Sequence, residues 1–244
     1  MDKNNWWHDF FKGDFSDVVL TQDAQPAFDF ITNILNIQPG YRIYDQCCGK
    51  GTLSHKLAET GCDIIGVDSS EEYIKKAGET QKSENIKFIA EDARIFRDQK
   101  KFDIVLNWHT SLGYETEDSQ NIKMIEAIEQ NLKNGGHFVI STMNPAYVKK
   151  HFQRFIVKEV PFEKSTIITI RESKIEGKLL TSDWTIIYPD GQRLHSYGQT
   201  KLYSLKDFEK MLSQCGLKIL NVYGDIDKRP LSNNCQSIII HGVK

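Results

Sequence analysis

Tyr41-Arg42-Ile43-Tyr44-Asp45-Gln46-Cys47-Cys48-Gly49-Lys50-Gly51-Thr52-Leu53 is the stretch on which the fold turns. Tyr41 to Tyr44 suits a short strand, because Ile43 and its aromatic neighbours fit a pleated, buried surface. The strand ends in an acid, Asp45. Two cysteines and two glycines follow, and a helical run begins at Thr52. Gly49 and Gly51 let the chain turn tightly and approach a ligand with no Cβ in the way. The helix N-terminus behind them leaves free N–H groups aimed at that ligand. Strand, glycine turn and helix together describe the first crossover of a nucleotide-binding, doubly wound α/β fold.

Downstream, the pattern repeats. Strands are expected at 62–68, 86–90, 102–107 and 137–141, separated by helices at 52–60, 70–81 and 118–133. Helix 118–133 carries Ile122, Ile125, Ile128 and Leu132 on one face. Alternation of this kind makes a parallel sheet with right-handed crossovers. Upstream, residues 22–37 show apolar positions at helical spacing, and Pro39-Gly40 punctuates the chain before the organising strand. Residues 1–20 interleave Trp6, Trp7, Phe10, Phe11 and Phe15 with acids, which fits either an aromatic stripe packed on the domain or a cap over a ligand mouth. From 153 to 203 the periodicity changes to antiparallel strands, with Pro189-Asp190-Gly191 as a hairpin turn. Helix 204–215 and strands at 217–223 and 236–241 close the chain. The expectation is one α/β domain over residues 1–244. It has a Rossmann-like, doubly wound, seven-stranded and mostly parallel sheet, with residues 153–203 inserted after the fifth strand as an antiparallel lid.

Composition bounds the function. The 244 residues hold 31 Lys and Arg against 33 Asp and Glu, a net charge of −2. That balance lacks the basic excess of a protein held to nucleic acid by phosphate contacts. No apolar run approaches a membrane span, and the N-terminus has no apolar leader core. The expected compartment is cytoplasmic. The five cysteines (47, 48, 62, 215 and 235) are odd in number and scattered, as expected of reduced thiols. Cys47-Cys48 is not a C-x-x-C pair, and the His, Cys and Asp residues lack metal-ligand spacing, so no metal is expected.

Three acids end successive early strands: Asp45, Asp68 and Asp92. The carboxyl edge of a parallel sheet is where ligands sit. Asp45 lies ahead of the glycines, where it would repel a pyrophosphate but suit a ligand with positive charge. S-adenosylmethionine carries an ammonium and a sulfonium and no phosphate. Asp68 suits a ribose diol, and Asp92 with Ala93 suits an adenine edge. A dinucleotide dehydrogenase would show G-x-G-x-x-G, but position 54 is Ser and Asp45 argues against it.

At these residues the sequence resembles class I S-adenosylmethionine-dependent methyltransferases. Asp45-Gln-Cys-Cys-Gly-Lys-Gly-Thr is similar to their first motif, Gly66-Val-Asp68-Ser-Ser to their ribose loop, and Glu91-Asp92-Ala93-Arg to their adenine loop. Leu106-Asn-Trp-His-Thr-Ser-Leu-Gly-Tyr114 resembles the segment after strand four in bacterial small-molecule methyltransferases, sugar N-methyltransferases among them. The likeness spans most of residues 40–244. It departs where Cys47-Cys48 and Lys50 replace the more usual small residues, and the Asn/Asp-Pro-Pro-aromatic signature of adenine methylation is absent. The resemblance implies an enzyme that moves a methyl group from S-adenosylmethionine to an N or O atom of a small molecule, leaving S-adenosylhomocysteine. Two other readings stay open: a non-catalytic cofactor-binding protein, or a tRNA or protein methyltransferase.

The cofactor set implied is Asp45, Cys47, Gly49, Gly51, Thr52, Asp68, Ser69, Asp92, Ala93, Asn107 and Trp108. Asn107 would offer its backbone carbonyl to the ammonium, and Trp108 would flank the adenine or fill the core. Methyl transfer from sulfur is an in-line displacement in which orientation and desolvation supply most of the acceleration. A base is needed only for a protonated acceptor. His109, with an imidazole near neutrality, is the candidate base, and Tyr114 the candidate orienting group. His195 and Tyr197 could face the pocket or the solvent. The insertion could set acceptor selectivity or make a dimer, so monomer and homodimer are both open.

Overall fold

The computed structural model describes residues 6–11, 23–81, 83–162 and 165–244. Within these, the chain order is α1 (Trp6–Phe10), α2 (Gln25–Ile34), β1 (Arg42–Gln46), α3 (Thr52–Ala58), β2 (Asp63–Asp68) and α4 (Glu71–Glu79). Then come β3 (Ile86–Ala90), β4 (Phe102–Asn107), α5 (Asp118–Asn131), β5 (Leu132–Met143) and α6 (Pro145–Lys150). Strands β6 (Phe155–Phe162), β7 (Ser165–Glu176), β8 (Leu179–Ile187) and β9 (Arg193–Lys201) precede α7 (Leu205–Gln214), β10 (Lys218–Tyr223) and β11 (Ser237–Val243).

The main sheet has seven strands in the order β10-β11-β5-β4-β1-β2-β3. Strands β1 to β5 run parallel, whereas β11 is antiparallel to both β5 and β10. The order reverses between β1 and β4. That is the topological switch point where ligands sit in such sheets.

Both faces of the sheet are covered, which is why β1 is buried at four of its five positions. Neighbouring residues go to opposite sides. Tyr44, Val105 and Phe138 join a core with Phe208 of α7 and Ile125 of α5. Ile43, Ile104 and Val139 join a second core with Ile31 of α2 and Leu57 of α3. Cap chemistry sets several helix starts. The Ser70 hydroxyl accepts from Tyr73 N at 3.2 Å, and Ser204 with Asp207 closes a reciprocal capping box on α7.

The second sheet, order β6-β7-β8-β9, is antiparallel throughout. It occupies the segment expected to be inserted after the fifth strand. Its β8–β9 turn is Pro189-Asp190-Gly191, with Gly191 at φ 85° and Tyr188 N donating to Gln192 O at 3.0 Å. The strands are longer than alternation alone indicated. β7 runs on to Glu176, beyond the strand that alternation predicts over Ser165–Ile170, because β8 pairs with it from Ile168 to Glu176.

Helix α6 was not expected. Its signal was present as Asn144-Pro145: Asn144 Oδ1 accepts from Ala146 N at 3.1 Å, and Pro145 occupies the first helical turn. All five cysteines are free. Of the aromatic N-terminal segment, the described part is residues 6–11, so Phe15 lies outside the described residues.

Candidate functional site

The turn after β1 is built from left-handed backbone. Cys47, Gly49 and Gly51 have φ of 62°, 56° and 73°. Two of the three are glycines, which adopt this conformation freely; Cys47 is strained, and Cys48 N donating to Val67 O at 3.0 Å helps hold it.

The two glycines differ in purpose. Gly49 borders the cavity, and a Cβ there would touch nothing closer than 4.0 Å. Gly51 was expected to make room for a ligand, but it does not line the cavity. A Cβ on it would meet the Phe88 ring at 2.5 Å, so it makes room for the β3 side chain that packs under α3.

The three strand-end acids have three different environments. Asp45 lies inside β1, one residue before its end, and is almost wholly buried. One oxygen accepts from Ser54 Oγ at 2.6 Å. Burial pushes its pKa up from 3.8 to about 7, against the Ser54 hydrogen bond and with help from Asp68. Asp68 ties two loops together: Oδ2 accepts from Gly49 N at 3.0 Å and Oδ1 from Ser70 N at 2.9 Å. Asp92 is clasped by Arg94, whose Nε lies 3.0 and 2.9 Å from its two oxygens and whose NH2 lies 2.6 Å from Oδ2. Burial alone would raise the Asp92 pKa, but the Arg94 hydrogen bonds outweigh it and hold the acid below its ordinary value. The same guanidinium reaches Glu115 through NH1. This Asp92–Arg94–Glu115 cluster was not anticipated. Part of the Asp92 carboxylate is committed to Arg94.

All three acids border one cavity of about 1250 Å³, together with Cys47, Gly49, Thr52, Ser69, Ala93, Trp108, His109 and Tyr114. Thirteen candidates were expected on its wall, and Gly51 and Asn107 do not line it. Asn107 is fully buried, and its Nδ2 donates to Gln46 Oε1 at 3.0 Å while its Oδ1 has no partner. Trp108 fills the core, as one of its two expected roles requires, and it also borders the cavity. It packs on Phe30 with centroids 5.9 Å apart, inside the α2–α3 core.

His109 and Thr110 leave β4 with φ of 63° each, a strained pair of left-handed residues pinned by Thr110 N donating to Ser141 O at 2.9 Å. The imidazole of His109 stands at the cavity rim. Although it keeps an exposed surface, the surrounding protein desolvates it and lowers its pKa below 6.5, so it is a neutral base at pH 7. Tyr114 is different. Desolvation first, then Cys47 and Asp68, raise its phenol well above the ordinary value, so it remains a neutral hydrogen-bonding group.

The roof comes from α1 and the second sheet. Tyr114 stacks on Phe11 at 6.0 Å and meets Trp6 edge-on at 4.8 Å. Trp6 Nε1 and Gln199 Nε2 both donate to the Tyr114 carbonyl. Gly198 of β9 leaves space for Phe10, whose ring would lie 3.1 Å from a Cβ there. His195 points outward, exposed and paired with Thr185 Oγ1 at 2.9 Å. Tyr197 is half-buried and donates to Gln199 Oε1 at 3.0 Å.

Asn121 was missed because nothing in its helical spacing marks it. It is buried on α5 and holds the loop that carries Tyr114. Its Oδ1 accepts from Gly113 N at 3.0 Å, and its Nδ2 donates to Glu115 O at 2.7 Å and to the Tyr203 hydroxyl at 3.0 Å. Asn121→Ala would leave the buried Gly113 N–H and the half-buried Glu115 carbonyl without these partners. The expected cost is about 1–3 kcal/mol, read as a lower urea midpoint; an unchanged midpoint would show that water replaces the clamp.

Comparison with known proteins agrees with this architecture. The sequence profile of the family described as "Methyltransferase domain" matches residues 37–205. Among curated proteins, YqeM of Bacillus subtilis, provisionally named a methyltransferase, is 25% identical over 189 residues, covering 75% of this chain and 76% of that one. Among solved structures, an S-adenosylmethionine-dependent methyltransferase from Clostridium acetobutylicum superposes with a TM-score of 0.80 at 20% identity, covering 98% of both chains. CalS10 of Micromonospora echinaspora, an amino pentose methyltransferase solved with S-adenosylmethionine bound, gives 0.71 at 17% identity over 98% of this chain and 92% of that one. The chain belongs to the methyltransferase-domain family, and it shares its fold with solved S-adenosylmethionine-dependent methyltransferases. Its sheet is the Rossmann-like sheet of that fold. No described helix is long and apolar enough to cross a membrane.

Proposed function

We propose that this enzyme methylates an N or O atom of a small molecule enclosed between the β1–β4 edge and the aromatic roof. The observation that carries the reading is the cavity itself. At about 1250 Å³ it exceeds the roughly 300–1,000 Å³ of a single-ligand pocket, which leaves space for a donor and an acceptor together. Its wall carries Asp45, Asp68 and Asp92 together with the aromatic side chains Trp6, Phe11, Tyr114 and Trp184.

The residues present fit S-adenosylmethionine. Asp45 is a buried carboxylate whose second oxygen has no partner in the hydrogen bonds above, matching a cationic amino group. Asp68 already holds the glycine turn, and its two oxygens suit a ribose diol. The loop of Asp92 and Ala93 suits an adenine edge. The bound donor supplies an activated methyl group on a sulfonium. What this chain contributes is placement. The aromatic wall excludes water, and the two left-handed residues after β4 present His109 to the cavity. A neutral imidazole there can take the proton that an amine or hydroxyl acceptor must lose, and the neutral Tyr114 phenol can orient the acceptor.

CalS10, with its amino pentose, is an example of this fold acting on a small molecule. A library of small amines and alcohols incubated with S-adenosylmethionine tests the reading, with S-adenosylhomocysteine formation as the readout. Turnover of at least one small acceptor, lowered more than tenfold by His109→Ala, is the expected result. Turnover confined to tRNA or protein substrates would overturn it.

A further inference from the structure

Among the described residues, three cationic side chains stand on the cavity wall, and two are engaged by protein. Arg94 is clasped between Asp92 and Glu115, and the Lys50 ammonium lies 5.3 Å from the Tyr73 ring centroid. The third, Arg171 of β7, pairs with no acid among the described residues. Its Nε is buried without a hydrogen-bond partner, and its guanidinium carbon lies 5.4 Å from the centroid of the Trp184 ring. Its neighbour Glu172 is taken by Arg154 at 2.9 Å. The register puts Arg171 directly opposite Trp184, and Ser173 opposite Ser182 one step along the same face. Ser173 and Ser182 share a hydrogen bond of 2.8 Å, and Ser182 borders the cavity beside Arg171 and Trp184.

A half-buried guanidinium with no counter-charge is costly, and its planar fork is shaped for a carboxylate or phosphate. The donor's one anion is a carboxylate on the same carbon as its ammonium, so the Asp45 reading puts it at the main sheet, and a loss of S-adenosylhomocysteine affinity in Arg171→Gln would overturn that placement. We infer that Arg171 recognises an anionic substituent, a carboxylate or a phosphate, on the methyl acceptor. The inference rests on the small-molecule reading above and narrows it: the acceptor is an amine or alcohol that also carries an anion. The Trp184 ring packs against the guanidinium, and Ser182 offers a hydroxyl to the same part of the cavity.

Matched probes test this. Phosphoethanolamine is titrated against ethanolamine, and γ-aminobutyrate against butylamine, into wild type and Arg171→Gln, each with and without S-adenosylhomocysteine. The anionic member of one pair is expected to bind wild type about tenfold or more tightly than its neutral partner, and Arg171→Gln should reduce that preference to within about twofold. The favoured pair tells phosphate from carboxylate. Equal binding of both members of each pair, no binding by any probe, or a preference that survives Arg171→Gln overturns the inference. S-adenosylhomocysteine affinity is the separate control. It should be the same in both proteins, and its absence in wild type would count against the donor reading and not against Arg171.

Discussion

Asp68→Ala should lower S-adenosylhomocysteine affinity by about a hundredfold or more, the largest binding effect expected of any single side chain here. Two losses combine. The ribose hydroxyls lose a charged acceptor, worth about 1.5–3 kcal/mol. The glycine turn loses its anchor as well, because the Asp68 carboxylate accepts from Gly49 N at 3.0 Å and from Ser70 N at 2.9 Å. With both amides released, the turn at Cys47 and Gly49 would keep only the Cys48 N–Val67 O bond to β2, and binding would bear part of the cost of ordering it. Calorimetry on the two proteins measures the ratio. Asp68→Asn separates the parts: it keeps one acceptor oxygen and should recover some affinity. A loss under fivefold in Asp68→Ala would mean that the carboxylate serves the loops alone.

A second large effect follows from Asp45. Its pKa stands near 7 in the folded protein against 3.8 for a free side chain, chiefly through desolvation. Well below pH 3.8 the group is neutral in both states and its titration does not affect stability. As pH rises from there, the unfolded chain releases the proton while the folded protein retains it, so folding stability declines until pH passes about 7. The full separation corresponds to about 4 kcal/mol at about 1.4 kcal/mol per pH unit. Asp45→Asn removes this dependence. The stability difference between the variant and wild type should therefore grow in favour of the variant from pH 5 to pH 7.5. A cationic ligand reverses the balance by favouring the carboxylate, so S-adenosylmethionine binding to wild type near pH 6.5 should release a proton that Asp45→Asn does not. Calorimetry in buffers of different ionisation enthalpy reads that proton directly. Equal apparent enthalpies in all buffers would place the positive charge of the donor away from Asp45.

Much of this was legible in the chain because it depended on local chemistry. The β1–turn–α3 unit announces itself through Asp45, the two glycines and the helical run after Thr52. The parallel strands read as short apolar runs, and the switch to antiparallel pairing after residue 153 shows in period-two alternation. What was not legible depended on partners distant in sequence. Gly51 looks like a ligand glycine until Phe88 of β3 is seen beside it. Asp92 reads as a free adenine ligand until Arg94 folds back on it and Glu115 joins from another loop. The Asn107 side chain bonds Gln46, a partner 61 positions away, while the role expected of Asn107 belongs to its backbone carbonyl. Asn121 and Arg171 carry no local signal, since their roles arise from a loop 8 residues away and from a cavity formed by two sheets.

The central claim is that the β1–β2–β3 edge holds S-adenosylmethionine, with Asp45 and Asp68 as its charged contacts. Titration of S-adenosylhomocysteine into the wild-type protein tests it most directly. Saturable one-to-one binding that Asp68→Ala weakens by about a hundredfold is the predicted result. No binding to wild type, or equal binding to both proteins, would contradict it.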